Sequence, residues 1–313
     1  MSSVAYLLPG QGAQAVGMGK AFYDRFEVSR DIYKQANSRL AFDLSALCFE
    51  GPQEELTRTD RCQLALFVTS LAAVAALRQT APSLQVVGAA GLSLGELTAL
   101  AAAHAFALTD GLYLVQARGE LMAQCAAAQG GMMLAVIGLT KEAIGGVCQE
   151  SGAWAANYNA TDQIVLSGSV EAIEKAEGLA KAAGAKRAMR LEVSGAFHSP
   201  LMQPVAEKFK VVLSKIKFQT PCIPVISNVT GQPVQDPQQI KELLVKQIVS
   251  PVRWEASMRA LIAAGATHFI EFPPAGVLTG LLRRIETTVK GIAIDQPGDF
   301  EKLSDVLSAA RFA

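Results

Sequence analysis

The chain has 313 residues, half of them hydrophobic and 18% charged, and its 28 Lys+Arg balance 28 Asp+Glu to a formal net charge of zero. Such a composition can bury a large core, is too apolar for disorder, and fits one large domain or one domain carrying a smaller insertion. A balanced charge without a long basic run argues against a protein held on nucleic acid or an anionic membrane, both of which need an electropositive face.

Residues 4–8 read as the first strand and run directly into Pro9-Gly10-Gln11-Gly12. No basic segment precedes those apolar residues, so the N-terminus has the pattern of neither a secretory signal nor a transit peptide. Residues 64–77 are the most apolar stretch, but Thr69 and Ser70 interrupt it and it falls short of the roughly 20 residues of a membrane helix; it predicts a buried helix. Further strands are expected at 86–90, 223–226, 268–272 and 290–294, with a helix over 94–103 and amphipathic segments between the others. Helix starts are signalled at Thr59-Asp60 and Thr109-Asp110, where a capping side chain precedes an acidic residue. Alternation of this kind implies an α/β fold around a mainly parallel sheet.

From about residue 130 the pattern changes to strand 132–137, helix 141–150, strands 154–157 and 163–167, helix 170–183 and strand 185–193. That β-α-β-β-α-β order is ferredoxin-like. It predicts a small domain, 130–193, inserted into a large α/β domain formed by 1–129 and 194–313, with a cleft between them. The five cysteines (Cys48, Cys62, Cys125, Cys148, Cys222) are scattered and never spaced C-x-x-C, which fits reduced thiols in a cytoplasm and excludes a cysteine zinc site. No metal or cofactor is expected.

The sharpest local signal is Gly91-Leu92-Ser93-Leu94-Gly95-Glu96, a G-x-S-x-G between a predicted strand and a predicted helix. That context forces a serine onto a strained elbow with its hydroxyl at the helix N-terminus, whereas the pentapeptide alone would read as a simple tight turn. A serine hydroxyl needs a base within hydrogen-bond reach, and the chain offers three histidines. His104 lies about 15 Å along the same Ala-rich helix and reads as a helix C-terminal histidine. His268 sits at a strand entry and reads as structural. His198, in Ser194-Gly195-Ala196-Phe197-His198-Ser199-Pro200, lies where the insertion returns the chain to the main body, and by elimination and position it is the base; a solvated loop histidine is the competing reading. Arg118 falls in an otherwise apolar helix face. A bridge to Glu120 is its plain alternative, but neighbours two apart on a helix do not face each other, so a bidentate carboxylate or phosphate partner is expected, such as a substrate. Gln11, in the turn after the first strand, reads equally as a backbone donor at the sheet's carboxyl edge and as an ordinary turn residue.

Together these residues resemble the malonyl-CoA:acyl carrier protein transacylase family, the acyltransferases of fatty-acid and polyketide synthesis, over essentially the whole chain. Pro9-Gly10-Gln11-Gly12 is similar to the family's P-G-Q-G, Ser93 sits in its G-x-S-x-G-E, Arg118 in its Q-x-R-G and His198 in its A-F-H-S. Asn157-Tyr158-Asn159, Ser227-Asn228-Val229-Thr230-Gly231, and Gln247 ahead of Ser250-Pro251-Val252-Arg253-Trp254 also match. The resemblance implies an α/β-hydrolase-like large domain with a mainly parallel sheet plus the ferredoxin-like insertion. It implies that Ser93 attacks a malonyl thioester with His198 as base, that the backbone N–H groups of Gln11 and Leu94 form the oxyanion hole, and that Arg118 grips the malonyl carboxylate. Asn157 and Asn159 would line the substrate site, Phe197 would fill the space an α-methyl needs, and a main-chain carbonyl at Gln247 would orient the histidine. The chain departs from the family at Leu92, where His is common, and at Pro273-Pro274-Ala275-Gly276 in place of G-P-G.

The partners implied are malonyl-CoA as substrate and acyl carrier protein, with no nucleic acid or membrane; a monomer is compatible with the sequence. Alternatives are a stand-alone acyltransferase serving a polyketide synthase, a serine esterase, and a carrier-docking scaffold in which Ser93 is dispensable. An esterase predicts an acidic residue between serine and histidine and an upstream H-G-G-G-type turn, neither of which is apparent. Residues 178–217 hold eight Lys+Arg against two Asp+Glu. Carrier proteins of this pathway are typically acidic, so this segment, with Lys181, Lys186, Arg187, Arg190, Lys208 and Lys210, is expected either to dock one or to form a solvated helix face.

Overall fold

The computed structural model describes residues 3–193 and 195–304. Strand β1 (Val4–Leu8) is buried along its whole length, as a central strand covered on both faces must be. Four helices follow, α1 (Lys20–Arg25), α2 (Glu27–Asn37), α3 (Leu44–Glu50) and α4 (Gln53–Thr57), and then the long α5 (Thr59–Thr80). By length and composition α5 could cross a membrane, but 83% of its most apolar window is buried inside the protein. Its polar interruptions are satisfied there. The Thr69 hydroxyl meets the Tyr33 hydroxyl at 2.8 Å and Ser70 Oγ donates to the Pro273 carbonyl at 2.7 Å, so neither group carries an unpaired desolvation cost.

Strand β2 (Val86–Gly91) leads through the serine elbow into α6 (Leu94–Ala102), followed by α7 (Leu108–Gln129). The expected capping side chains are not used. Helix α5 begins at Thr59 itself after Arg58, and α7 begins at Leu108 after Ala107, so Thr59 and Thr109 lie inside the first turns. Arg58 instead pairs with Glu55 and Asp60 at the start of α5.

The small body comprises β3 (Met132–Ile137), α8 (Lys141–Ser151), β4 (Trp154–Ala160), β5 (Gln163–Gly168), α9 (Val170–Ala182) and β6 (Arg187–Arg190). Its sheet has the order β4-β5-β3-β6 with every pair antiparallel, the ferredoxin-like arrangement. Thr140 caps α8 and Ser169 caps α9 through their hydroxyls. Leu134, Val136, Ile144, Ile164, Leu166 and Ile173 form a core of its own. Strand β6 is shorter than the 185–193 expected: Leu191 N still donates to Met133 O of β3 at 2.9 Å, but Val193 N turns back onto Leu191 O at 2.9 Å, and both side chains pack against the large core. The chain enters this body at Gly130-Gly131, both at positive φ, and a Cβ on Gly131 would meet Ala196 on the returning segment. Ser194, within that return, and residues 305–313 of the expected second large-domain segment lie outside the described residues.

The large body resumes with α10 (Gln203–Ser214), β7 (Val225–Ile226), β8 (Pro233–Val234), α11 (Pro237–Gln247), α12 (Trp254–Ala263), β9 (His268–Glu271), α13 (Val277–Ile285) and β10 (Lys290–Ala293). Among the described residues its sheet runs β10-β9-β1-β2-β7-β8, parallel except for β7–β8. Strand β7 is shorter than expected because Pro224 has no N–H to donate, although its carbonyl accepts from Ala89 N at 2.9 Å. At the divergent Pro273-Pro274 turn, Ala275 N donates to Asp295 Oδ1 at 2.7 Å, and the fully buried Glu271 carboxylate accepts from Leu278 N and Thr279 N at 2.8 Å each, fixing the start of α13.

The two bodies are fastened together. Val252 N donates to Ala156 O and Tyr158 N to Val252 O, both at 2.8 Å, which joins β4 to the segment before α12. The Glu255 carboxylate reaches across to Lys141 and Thr161, and Arg284 holds Asp162 through both oxygens.

Candidate active site

Ser93 is the residue between β2 and α6, at φ 55° and ψ −103°, a backbone region that side-chain-bearing residues avoid. The flanking glycines are sterically required: a Cβ on Gly91 would overlap the Gly95 carbonyl, and one on Gly95 the Leu8 carbonyl. Gly10 belongs to the same junction, since its Cβ would overlap the carbonyl oxygen of Leu92. Asn228 clamps the elbow with one amide, accepting from Ser93 N and donating to Gly91 O, both at 2.8 Å.

His198, also at positive φ (58°), places Nε2 2.7 Å from Ser93 Oγ, and its Nδ1 lies 2.8 Å from the main-chain oxygen of Gln247. A carbonyl only accepts, so Nδ1 carries the proton and Nε2 is left to receive the serine's. Burial, reinforced by the nearby Arg118 charge, lowers His198 to about 4 and keeps the imidazole neutral at pH 7.

Arg118, on α7, is 1% exposed. It does not bridge to Glu120, which instead accepts from Gln116 at 3.0 Å. Its guanidinium donates to Gln63 Oε1 at 2.7 Å, Gln247 Oε1 at 3.0 Å and Ser93 Oγ at 3.1 Å. Burial pulls it down to about 10, still charged at neutral pH. A cation donating to the serine oxygen while a neutral imidazole accepts its proton favours the alkoxide character a nucleophile needs.

Ser93, Arg118 and His198 open onto a cavity of about 190 Å3 between the two bodies. Gln11, Gln63, Asn157 and Asn159 form its polar wall; Leu92, Val165, Leu191, Phe197, Val277 and Leu281 form its apolar side. Asn157 and Asn159, two apart on β4, share a face, and Asn159 Oδ1 is buried without a hydrogen-bond partner. The Phe197 ring lies over Gly195, where a Cβ would crowd it. Leu94 is the first residue of α6, so its N–H has no carbonyl within the helix to bond, and Gln11 stands on the same cavity with its side chain donating to Thr59. His104 lies against Arg78 and His268 on β9, each apart from this cavity.

Sequence reasoning left Gln63, Glu96 and the clamp by Asn228 without roles. Glu96 is fully enclosed one turn beyond Ser93, and burial raises its carboxyl to about 7. Only its position beside the serine motif could have drawn attention to it.

A serine activated by a neutral histidine, on a strained elbow facing a buried arginine, defines an acyl-transfer enzyme with a serine nucleophile. The chain matches the acyl transferase domain family over residues 5–295 and belongs to it. It is 43% identical over 306 residues to the malonyl CoA-acyl carrier protein transacylase of Bacillus subtilis (strain 168), covering 96% of each chain. A crystal structure of an acyl carrier protein S-malonyltransferase from Vibrio cholerae superposes with TM-score 0.93 at 38% identity, covering 97% of this chain and 100% of that one. A type II PKS acyl-carrier protein in complex with its malonyl-transacylase provides a further match, with TM-score 0.93 and 35% identity over 100% of both chains.

Proposed function

We propose that the protein is a malonyl-CoA:acyl carrier protein S-malonyltransferase that works by a ping-pong mechanism through malonyl-Ser93. The observation that carries this reading is the buried Arg118 guanidinium 3.1 Å from Ser93 Oγ, a cation at the distance where a short acyl group's distal carboxylate would meet it. Ser93 Oγ attacks the thioester carbonyl as its proton passes to His198 Nε2. The oxyanion is met by the backbone N–H groups of Gln11 and Leu94, and collapse breaks the C–S bond while His198 protonates the departing coenzyme A thiolate. In the second half, His198 takes the proton of the carrier's phosphopantetheine thiol, the sulfur attacks the serine ester, and the proton returns to Ser93 Oγ. One thioester replaces another, and no cofactor is needed.

In this scheme Asn157 and Asn159 contact the substrate, Phe197 disfavours an α-methyl, and Gln247 orients His198 through its carbonyl. That a carbonyl rather than a carboxylate holds Nδ1 speaks against the esterase reading. The complex of a type II PKS acyl-carrier protein with its malonyl-transacylase supports the second reading, service to a polyketide carrier. Within the basic segment Lys181 and Arg190 are already paired with Glu177, so carrier docking rests on Lys186, Arg187, Lys208 and Lys210. Reversing Lys186 and Arg187 is expected to raise the carrier-protein KM. A cytoplasmic location belongs to the same proposal and rests on the scattered cysteines. The deciding experiment is incubation with malonyl-CoA followed by mass analysis of the Ser93 peptide. A malonyl adduct absent from Ser93→Ala supports the reading, and no adduct, or one that persists in that variant, overturns it.

A further inference from the structure

Glu96 takes no part in the reaction just described, yet it is a buried carboxyl whose contacts converge on the nucleophile from two sides. On one side, its Oε2 accepts from Gln247 Nε2 at 2.8 Å, and the same Nε2 donates to Ser93 O at 2.9 Å. On the other, Oε2 accepts from the backbone N–H of Asn228 at 3.2 Å, the residue whose side chain clamps Ser93 N and Gly91 O.

These partners leave the Gln247 amide one orientation. Arginine can only donate, so the oxygen of the amide must face Arg118; the Ser93 carbonyl can only accept, and Glu96 Oε2 already accepts the Asn228 N–H, so the amide nitrogen must face them. The Glu96 carboxyl and the Arg118 guanidinium do not touch, because the Gln247 amide stands between them. A direct Glu96–Arg118 pair would satisfy the guanidinium with an internal carboxylate and leave little for a carboxylate arriving on a substrate. The amide transmits the fixed position of Glu96 without neutralising the arginine.

We infer that Glu96 is a positioning residue for acyl-group selection: acting through the Gln247 amide, it aims the Arg118 guanidinium at the acyl site while keeping its charge available. The inference rests on the malonyl-transfer reading above and adds a residue to it that touches neither substrate nor the reacting atoms.

The test compares loading of Ser93 by malonyl-CoA and by acetyl-CoA, which lacks the distal carboxylate, in the wild type and in Glu96 variants. Glu96→Ala removes the acceptor, and its kcat/KM for malonyl-CoA is expected to fall about tenfold more than that for acetyl-CoA, the size of a lost hydrogen bond to a charged group. Glu96→Gln keeps an oxygen acceptor in place and is expected to retain both activities within about threefold, since the inference assigns the work to the acceptor. Where Glu96→Ala does not yield folded protein, Glu96→Asp, which keeps the charge but withdraws the oxygen by one methylene, carries the same expected split. Equal losses for the two substrates, or no loss, would mean that Glu96 only supports the fold. Wild-type loading separates the two claims: a wild type that takes no malonyl removes the functional reading, whereas one that loads malonyl while the variants keep its malonyl-to-acetyl ratio removes this inference alone.

Discussion

His198 donates from Nδ1 to the main-chain oxygen of Gln247 at 2.8 Å, the place where a serine-hydrolase triad would put a carboxylate. A carbonyl fixes the tautomer but adds no negative charge, so the main-chain hydrogen bonds of Gln247 and Ser250 only partly offset the burial and the Arg118 charge that hold the imidazole at about 4. The base form therefore persists far below the ordinary histidine range. Loading of Ser93 by acetyl-CoA, which has no titrating carboxylate, should have a kcat/KM that stays level from neutral pH down to about pH 5 and halves near pH 4. A half-point near 6.5 would show an imidazole in ordinary solvent.

Arg118→Ala removes the only charged donor that reaches Ser93 among the described residues, yet it leaves the serine, its base and the elbow in place. Malonyl-CoA loading should fall by about a hundredfold or more, the value of a charge-assisted bidentate contact, while acetyl-CoA loading falls much less. Quenched-flow measurement of both substrates on one preparation decides it. Equal losses would assign Arg118 to holding Gln63 and Gln247 rather than an acyl carboxylate.

The parts of this site that were legible in the sequence are those whose chemistry is local. Gly91 and Gly95 encode the elbow because any side chain there overlaps a backbone carbonyl, and the ferredoxin-like order shows in its short alternating runs, though the caps of its helices, Thr140 and Ser169, were not singled out. His198 could be singled out because the chain has only three histidines. Gln247 could not be derived that way, since the group that holds His198 is a main-chain oxygen and any residue carries one. Gln63 and Glu96 act through contacts with residues 55 and 151 positions away, which no local pattern encodes. The missed caps at Thr59 and Thr109 were lost to tertiary structure, with Thr59 serving Gln11 instead.

Glu96 and His198 should also leave opposite marks on stability. The folded state raises Glu96 from its ordinary 4.5 to about 7, so its contribution is complete below pH 4.5 and is lost as pH rises through 7. It lowers His198 from 6.5 to about 4, so that contribution is complete above pH 6.5 and is lost as pH falls through 4. Each shift amounts to on the order of 3 kcal/mol, and between pH 4.5 and 6.5 the two slopes oppose. Relative to wild type, Glu96→Gln should gain stability as pH rises across 4.5 to 7, and His198→Gln should lose it as pH rises across 4 to 6.5. Urea titrations at stepped pH read both differences, and parallel curves for the three proteins would count against either shift.

The contact between the two bodies gives the last expectation. Glu255, 7% exposed, accepts from Lys141 Nζ at 3.1 Å and Thr161 Oγ1 at 2.9 Å across the boundary, and from Arg259 NH2 at 2.9 Å on its own helix. Removing it takes a shared acceptor from three donors, but Lys141, Thr161 and Arg259 are exposed and can turn to water, so the loss costs about 1 kcal/mol. The Arg284–Asp162 pair spans the same boundary at 2.9 Å, but its side chains are 36% and 47% exposed, so solvent screens it and its loss costs about 0.5 kcal/mol. Glu255→Ala, which loses three partners of a buried acceptor, should therefore lower the denaturation midpoint more than Arg284→Ala does. The acyl cavity lies between the bodies, so Glu255→Ala should also raise the KM for malonyl-CoA more than it lowers kcat. A Glu255→Ala protein with unchanged stability and KM would show that the β4 link through Val252 holds the two bodies unaided.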